Sequence, residues 1–299
     1  MNSLPKLKKE SGQALLLVVL SLAIVLTIIL SILSRSITDI AVTSRSEDAL
    51  RAFSAAEAGV EQALVIGADI GGAIGDSNFS AKVTGYAQGT KAFSNPAGAL
   101  AGESVLFWFV AHNQTTGDTE CSAQNLCFTG SQFKICWGTG GGAGNPTTPA
   151  NEASVYYAAT PGSLATVRIA RIAVDPNSTR RTSNNFSAPD TGTCTIEGDN
   201  FQFWKIIDLT TLGVPAGVYS TQNGLQFAKV RLLYNTDIAH TVGIDVNQPG
   251  NGNLPSQGVK IESTGQAGDS NRKINVFRGF GEPPPIFDVA VFSPGGLIK

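Results

Sequence analysis

Four cysteines, Cys121, Cys127, Cys136 and Cys194, are the residues of this 299-residue chain best suited to covalent or metal chemistry. They are separated by five, eight and fifty-seven residues, with no CxxC pair, and the chain holds only two histidines. That is a poor match to the Cys/His sets that bind zinc. An even count suits disulfides if the cysteines lie outside a reducing compartment. Four cysteines allow three pairings, and free thiols are the alternative. His112 and His240 stand apart from any nucleophile motif and read as ordinary strand or loop histidines. The glycine loop from Gly138 to Pro149 lacks the Lys-Ser/Thr of a phosphate loop, and no helical pattern follows it. The acidic run Ile196 to Asn200, with Asp190 nearby, carries oxygens of the kind calcium takes but not the spacing of an EF-hand. Asn78, Asn113, Asn177 and Asn185 begin N-x-Ser/Thr triplets, as chance gives in an Asn- and Thr-rich chain. The expectation is no catalytic residue, no metal site and no cofactor.

The elements that carry these residues follow from composition and pattern. Net charge is -2 and charged residues are 15% of the chain, against roughly 25% for soluble domains. Nothing here suggests a nucleic-acid partner, which calls for a basic surface. Much of the charge deficit lies in one place. From Gln13 to Ser34 no residue is ionisable, and Leu, Ile and Val dominate. As a helix this run spans roughly 33 Å, the thickness of a bilayer core. Ser21, Thr27 and Ser31 are its few polar residues, with hydroxyls able to bond the preceding turn. Lys6, Lys8 and Lys9 precede the run, and Arg35 to Glu61 mixes both signs. The positive-inside bias then leaves the N-terminus in the cytoplasm and the body outside. A cleaved secretory signal has a shorter apolar core ending in a small-x-small site, which "SILSRSI" does not supply.

The apolar run does not end in a turn. Arg35 to Val65 contains no proline and one glycine, Gly59, so the pattern predicts one helix from about Ala14 to Val65. Leu50, Phe53, Val60 and Leu64 form an apolar stripe that Glu57 interrupts. Ala52, Ala55, Ala56, Gly59 and Ala63 form a second, small-residue face at three- and four-residue steps. Small residues let a helix approach its neighbour closely. Two partners fit this face, the helices of other subunits or the β-body of the same chain.

"SGQALLLVVLSLAIVLTII" (Ser11–Ile29) with "RAFSAAEAGVEQAL" (Arg51–Leu64) resembles the N-terminal region of PilX-type minor pilins, within the type IV pilin and pseudopilin family. The resemblance covers Ser11 to about Leu64, and Ala52 to Gly59 is its more specific part. It implies cleavage between Gly12 and Gln13 by a prepilin peptidase, methylation of the new N-terminus, and assembly with other pilin subunits. Many major pilins carry a glutamate at the fifth mature position. Here that position is Leu17, a departure that suits a low-copy subunit. Glu57, on the helix-packing segment but far beyond the membrane, reads as a solvated or interfacial carboxylate, with a specific salt-bridge role in assembly as the alternative.

After Val65 the composition changes. Gly67 to Asn78 reads as a glycine-rich linker. From Phe79 onward, period-two alternation between turn clusters predicts strands. These are Phe79–Thr84, Ser104–Ala111, Gln132–Trp137, Ala153–Ala159, Thr166–Val174, Phe201–Asp208, Leu225–Tyr234, His240–Val246, Gly258–Ser263, Arg272–Arg278 and Ile286–Phe292. In the seventh, Ala228, Val230, Leu232 and Tyr234 point one way, and Lys229 and Arg231 the other. Gly258 to Gly279 reads as a β-hairpin with a polar tip, and Asp175 to Thr193 as a long exposed loop.

The expected fold class is α+β. A leader (1–12) precedes a long helix (13–66, membrane part 13–34), then the linker (67–78) and a mostly antiparallel, β-rich extracytoplasmic domain (79–299). The expected function is that of a non-catalytic minor pilin or pseudopilin-like subunit of a type IV pilus or related filament. Its expected partners are the prepilin peptidase, other pilin subunits with their assembly machinery, and the membrane. The expected location is the cytoplasmic (inner) membrane in a single pass, with the body displayed on a cell-surface filament. The alternatives are a single-pass surface β-domain that binds a ligand such as glycan, and a tethered hydrolase.

Overall fold

A computed structural model of the chain describes residues 13–113, 116–138 and 143–282. The leader with Gly12 and the expected strand Ile286–Phe292 lie outside the described residues. The chain divides into two compact units, with boundaries that fall inside the long N-terminal helix, at its exit and inside three β-strands.

The first unit contains most of α1, a single 54-residue helix from Gln13 to Ile66. Its apolar half meets no obstacle to helix formation, and its Ser and Thr hydroxyls are satisfied internally. Ser21 donates to the Val18 carbonyl at 2.9 Å and Thr27 to that of Ile24 at 2.8 Å. The same unit holds β1 (Ile70–Ile74), the start of β2 (Ser77–Tyr86), the end of β13 (Gly258–Ala267) and the start of β14 (Ser270–Gly279). These strands lie in the sheet order β1-β2-β13-β14. The stretch expected to be a linker is therefore a β-hairpin in antiparallel register, Ile70 opposite Ala81 and Ile74 opposite Ser77. Gly75 takes φ +56° at the first of its two turn residues, a place where hairpins favour glycine. Glycine content and short length disguised β1, which carries large side chains only at Ile70 and Ile74. The expected hairpin β13–β14 turns on the same dipeptide, Gly268-Asp269, with Gly268 at φ +52°.

The second unit is a sandwich of two antiparallel four-stranded sheets. One has the order β10-β5-β12-β3, from β3 (Ala92–Ser94), β5 (Gln132–Trp137), β10 (Phe203–Asp208) and β12 (Val242–Asp245). The other has the order β4-β11-β6-β7, from β4 (Ser104–Trp108), β6 (Ala150–Ala158), β7 (Val167–Val174) and β11 (Leu225–Leu233). Phe133, Ile135 and Trp137 of the first sheet share one core with Phe107, Val155 and Val230 of the second, the interdigitation expected of facing sheets. Along β11, Ala228, Val230 and Leu232 face this core as expected. Tyr234 does not continue the alternation, because it leaves the strand with φ +73°.

A short ribbon, β8 (Cys194–Ile196) with β9 (Asp199–Phe201), packs Ile196 and Phe201 with Cys136 on the outer face of the first sheet. Gly243 of β12 permits this approach: a Cβ there would stand 2.8 Å from Ile196 Cδ1. The expected loop Asp175–Thr193 is also ordered. It contains α2 (Ser178–Asn184), whose first amides are capped by the Asn177 side chain. Asp175, fully buried, accepts from Arg180 Nε at 3.0 Å, Arg180 Nη2 at 2.7 Å and Asn184 Nδ2 at 2.8 Å. Arg180 also lies 4.1 Å from the Tyr234 ring centre and donates to the carbonyls of Pro146 and Thr148. Arg181 donates to the carbonyls of Asp175 and Pro176. A polar segment thus folds around one carboxylate, which composition alone conceals. A last helical turn, α3 (Ala216–Tyr219), follows β10.

Candidate functional site

The candidate functional element is α1, and its two halves differ in what covers them. From Leu15 to Arg45 every residue is exposed, including the whole Leu-, Ile- and Val-rich run. It is the one helix among the described residues long and apolar enough to cross a membrane. Gln13 begins the helix, and Gly12 lies outside the described residues.

In the second half, Ala52, Ala55, Ala56, Gly59 and Ala63 are all buried. Of the two partners the sequence left open for this face, the sheet of the same chain occupies it at Ala52, Ala56 and Gly59, within the first unit. A Cβ added to Gly265 of β13 would overlap the Ala52 carbonyl oxygen and stand 2.5 Å from the Ala56 nitrogen. One added to Gly59 would overlap Ser263 Oγ and come within 2.8 Å of the Phe79 ring. Helix and strand therefore meet backbone to backbone, which only Ala and Gly allow. The larger apolar residues are divided: Leu50 and Phe53 are exposed, at 66% and 44%, while Val60 is buried. Glu57 is exposed and forms no ion pair with any described residue. Sequence reasoning found the helix side of this seat and missed the strand side. The available signal was Gly265, an isolated glycine within a strand pattern, which marks a bulge or close backbone approach.

The four cysteines form two disulfides, Cys121–Cys127 and Cys136–Cys194. The first closes a small loop whose residue Cys127 is held by one carboxamide: its N–H donates to Gln222 Oε1 at 2.6 Å, and its carbonyl accepts from Gln222 Nε2 at 2.9 Å. The second fastens the β8–β9 ribbon to β5.

The histidines lie in packed surroundings. His112 stacks on Phe280 with ring centres 4.1 Å apart and meets Trp108 edge-on at 4.4 Å. Burial there pushes its imidazole down to about 4. His240 is lowered by burial too, against the opposing Asp237 carboxylate. The acidic residues near Ile196 are engaged elsewhere: Asp190 pairs with Lys205 at 2.7 Å, and Asp199 accepts from Ser94 Oγ at 2.7 Å. Among the described residues no group of three or more His, Cys, Asp or Glu is placed to hold a metal.

Comparison with family models, curated proteins and solved structures gives no match for this chain.

Proposed function

We propose that this chain is a non-catalytic, pilin-like minor subunit of a type IV pilus or related filament, anchored and assembled through α1. The supporting observation is the division of labour along one unbroken helix. Its second half is seated on the chain's own sheet, while its first half exposes an uncharged apolar surface for which lipid or the helices of other subunits are suitable surroundings. In this reading the body is extracytoplasmic, consistent with two disulfides. Leu17 in place of a lipid-buried glutamate suits a subunit incorporated in few copies, since a buried carboxylate would need a partner at each insertion.

The reading is tested by the N-terminal mass of the protein produced beside a prepilin peptidase. Loss of residues 1–12, blocked by Gly12→Leu, is the expected result. An intact N-terminus in the wild-type chain would instead support a plain single-pass anchor carrying a ligand-binding β-domain.

A further inference from the structure

The second unit contains a cleft of about 400 Å³ bounded by the Cys121–Cys127 loop, the turn after β2 and the segment before β13. That volume lies within the range of small-molecule sites. No ionisable residue lines it. Four carboxamides line it: Gln222 is engaged with the Cys127 backbone, and three others, Gln88, Gln124 and Asn253, come one from each segment. None of the three side chains hydrogen-bonds to another described residue. Exposed apolar surface is supplied by Leu126, 62% exposed, while Leu254 and Pro255 are buried.

The three segments are fixed to one another by backbone hydrogen bonds. Gly89 N–H donates to the Leu254 carbonyl at 2.9 Å, Leu254 N–H to that of Thr90 at 2.9 Å, and Gly252 N–H to that of Thr129 at 2.7 Å. The Lys91 ammonium donates to the carbonyls of Asn251 and Gly252 at 2.8 and 3.0 Å. Gln222 and the disulfide hold the Cys127 end. The rim is therefore organised before any ligand arrives, which lowers the entropic cost of binding.

We infer that this cleft is a binding site for an uncharged saccharide. Each free carboxamide offers a donor pair and an acceptor on one planar group, which matches neighbouring sugar hydroxyls that both donate and accept. The exposed Leu126 side chain suits the C–H face of a sugar ring. An acidic ligand would find no cation on the lining and a basic one no carboxylate. A peptide added as a strand would need free main-chain groups, but the rim amides of Gly89, Cys127, Gly252 and Leu254 are already paired.

The experiment uses the full chain in lipid nanodiscs made from lipids without sugar headgroups. Maltotriose, cellotriose, mannotriose and N-acetylchitotriose are titrated beside sialyllactose, a heparin hexasaccharide and the uncharged peptide Gly-Gln-Asn-Gly. The expected result is saturable binding of at least one neutral trisaccharide. It should weaken about tenfold in Gln124→Ala/Asn253→Ala, the loss of roughly one to two net hydrogen bonds. Gln202→Ala, an exposed amide outside the cleft, should leave it unchanged. Failure of every neutral saccharide to bind, binding of only the acidic sugars or only the peptide, or binding undiminished in the double variant would each overturn the inference. None of these outcomes bears on N-terminal processing, so the filament reading stands or falls separately.

Discussion

Gly265 lies against the helix backbone at Ala52 so closely that a methyl group on it would overlap the Ala52 carbonyl oxygen. The obstacle on the helix is main chain and cannot swing aside. At Gly59, the obstacles are the Ser263 hydroxyl and the Phe79 ring, which are side chains. Gly265→Val should therefore destabilise the helix–hairpin seat by at least the roughly 1–3 kcal/mol typical of overpacking, and more than Gly59→Ala does. Amide exchange across residues 263–274 of the full chain would report the loss. Equal protection in Gly265→Val and wild type would refute the close approach.

Ser263 supplies a second test of the same seat. Its hydroxyl is fully buried and has no hydrogen-bond partner among the described residues. A buried unsatisfied polar group is costly, and its removal leaves little unfilled volume. Ser263→Ala should raise thermal stability by about 1 kcal/mol, or leave it level. A clear fall in the melting temperature would show that the hydroxyl has a partner.

Much of this architecture is legible in the sequence. The uncharged run and the proline-free continuation predict α1 to within a residue or two of Gln13–Ile66, and Gln132–Trp137 coincides with β5. What escaped detection depends on contacts distant in sequence. The strand β1, Ile70–Ile74, is glycine-rich and short and carries only two large apolar residues, whereas Phe79–Thr84 of its partner β2 is legible. Its Gly72 lies under the Phe79 ring, where a Cβ would stand 2.8 Å from Cζ. The strands β3, β8 and β9 have three residues each, too few to show a period. The small-residue face was visible, but its partner was not. Alanines suit a neighbouring helix and a glycine-bearing strand equally, and only the position of Gly265 separates them. The neutral cleft gave no signal, since its amides come from three distant segments.

Acid should destabilise the second unit through His112. Burial beside Trp108 and Phe280 holds its imidazole at about 4, below the ordinary 6.5. The unfolded chain therefore takes up the proton first. The stabilising contribution is complete above about pH 6.5 and is lost as pH falls towards 4, by up to about 3 kcal/mol. His240 acts in the same direction. Denaturation midpoints at pH 7.5 and 4.5 should differ less in His112→Phe than in wild type. An unchanged difference would show that His112 is not responsible.

The two disulfides should differ in their contribution. Cys136–Cys194 closes 58 residues and Cys121–Cys127 only six. Loop-closure entropy gives about 4 kcal/mol for the first and about 2 kcal/mol for the second. Paired Cys→Ala variants, unfolded by denaturant, should show this order. Alkylation of the denatured but unreduced protein should label no cysteine, whereas labelling of all four would refute both bridges.

The Asp175 cluster has a consequence for resistance to proteolysis. Arg180 and Arg181 are a dibasic pair within a polar segment, the kind of sequence that trypsin-like enzymes cleave once it is extended in their active sites. Here both guanidinium groups are occupied and the pair lies within α2. Extending the segment would strip the fully buried Asp175 of its partner, a loss of about 3–5 kcal/mol for a buried pair. The same carboxylate that shapes the segment thus withholds it from digestion, so the folded chain can carry an evident cleavage sequence without presenting it in the extended form a protease needs.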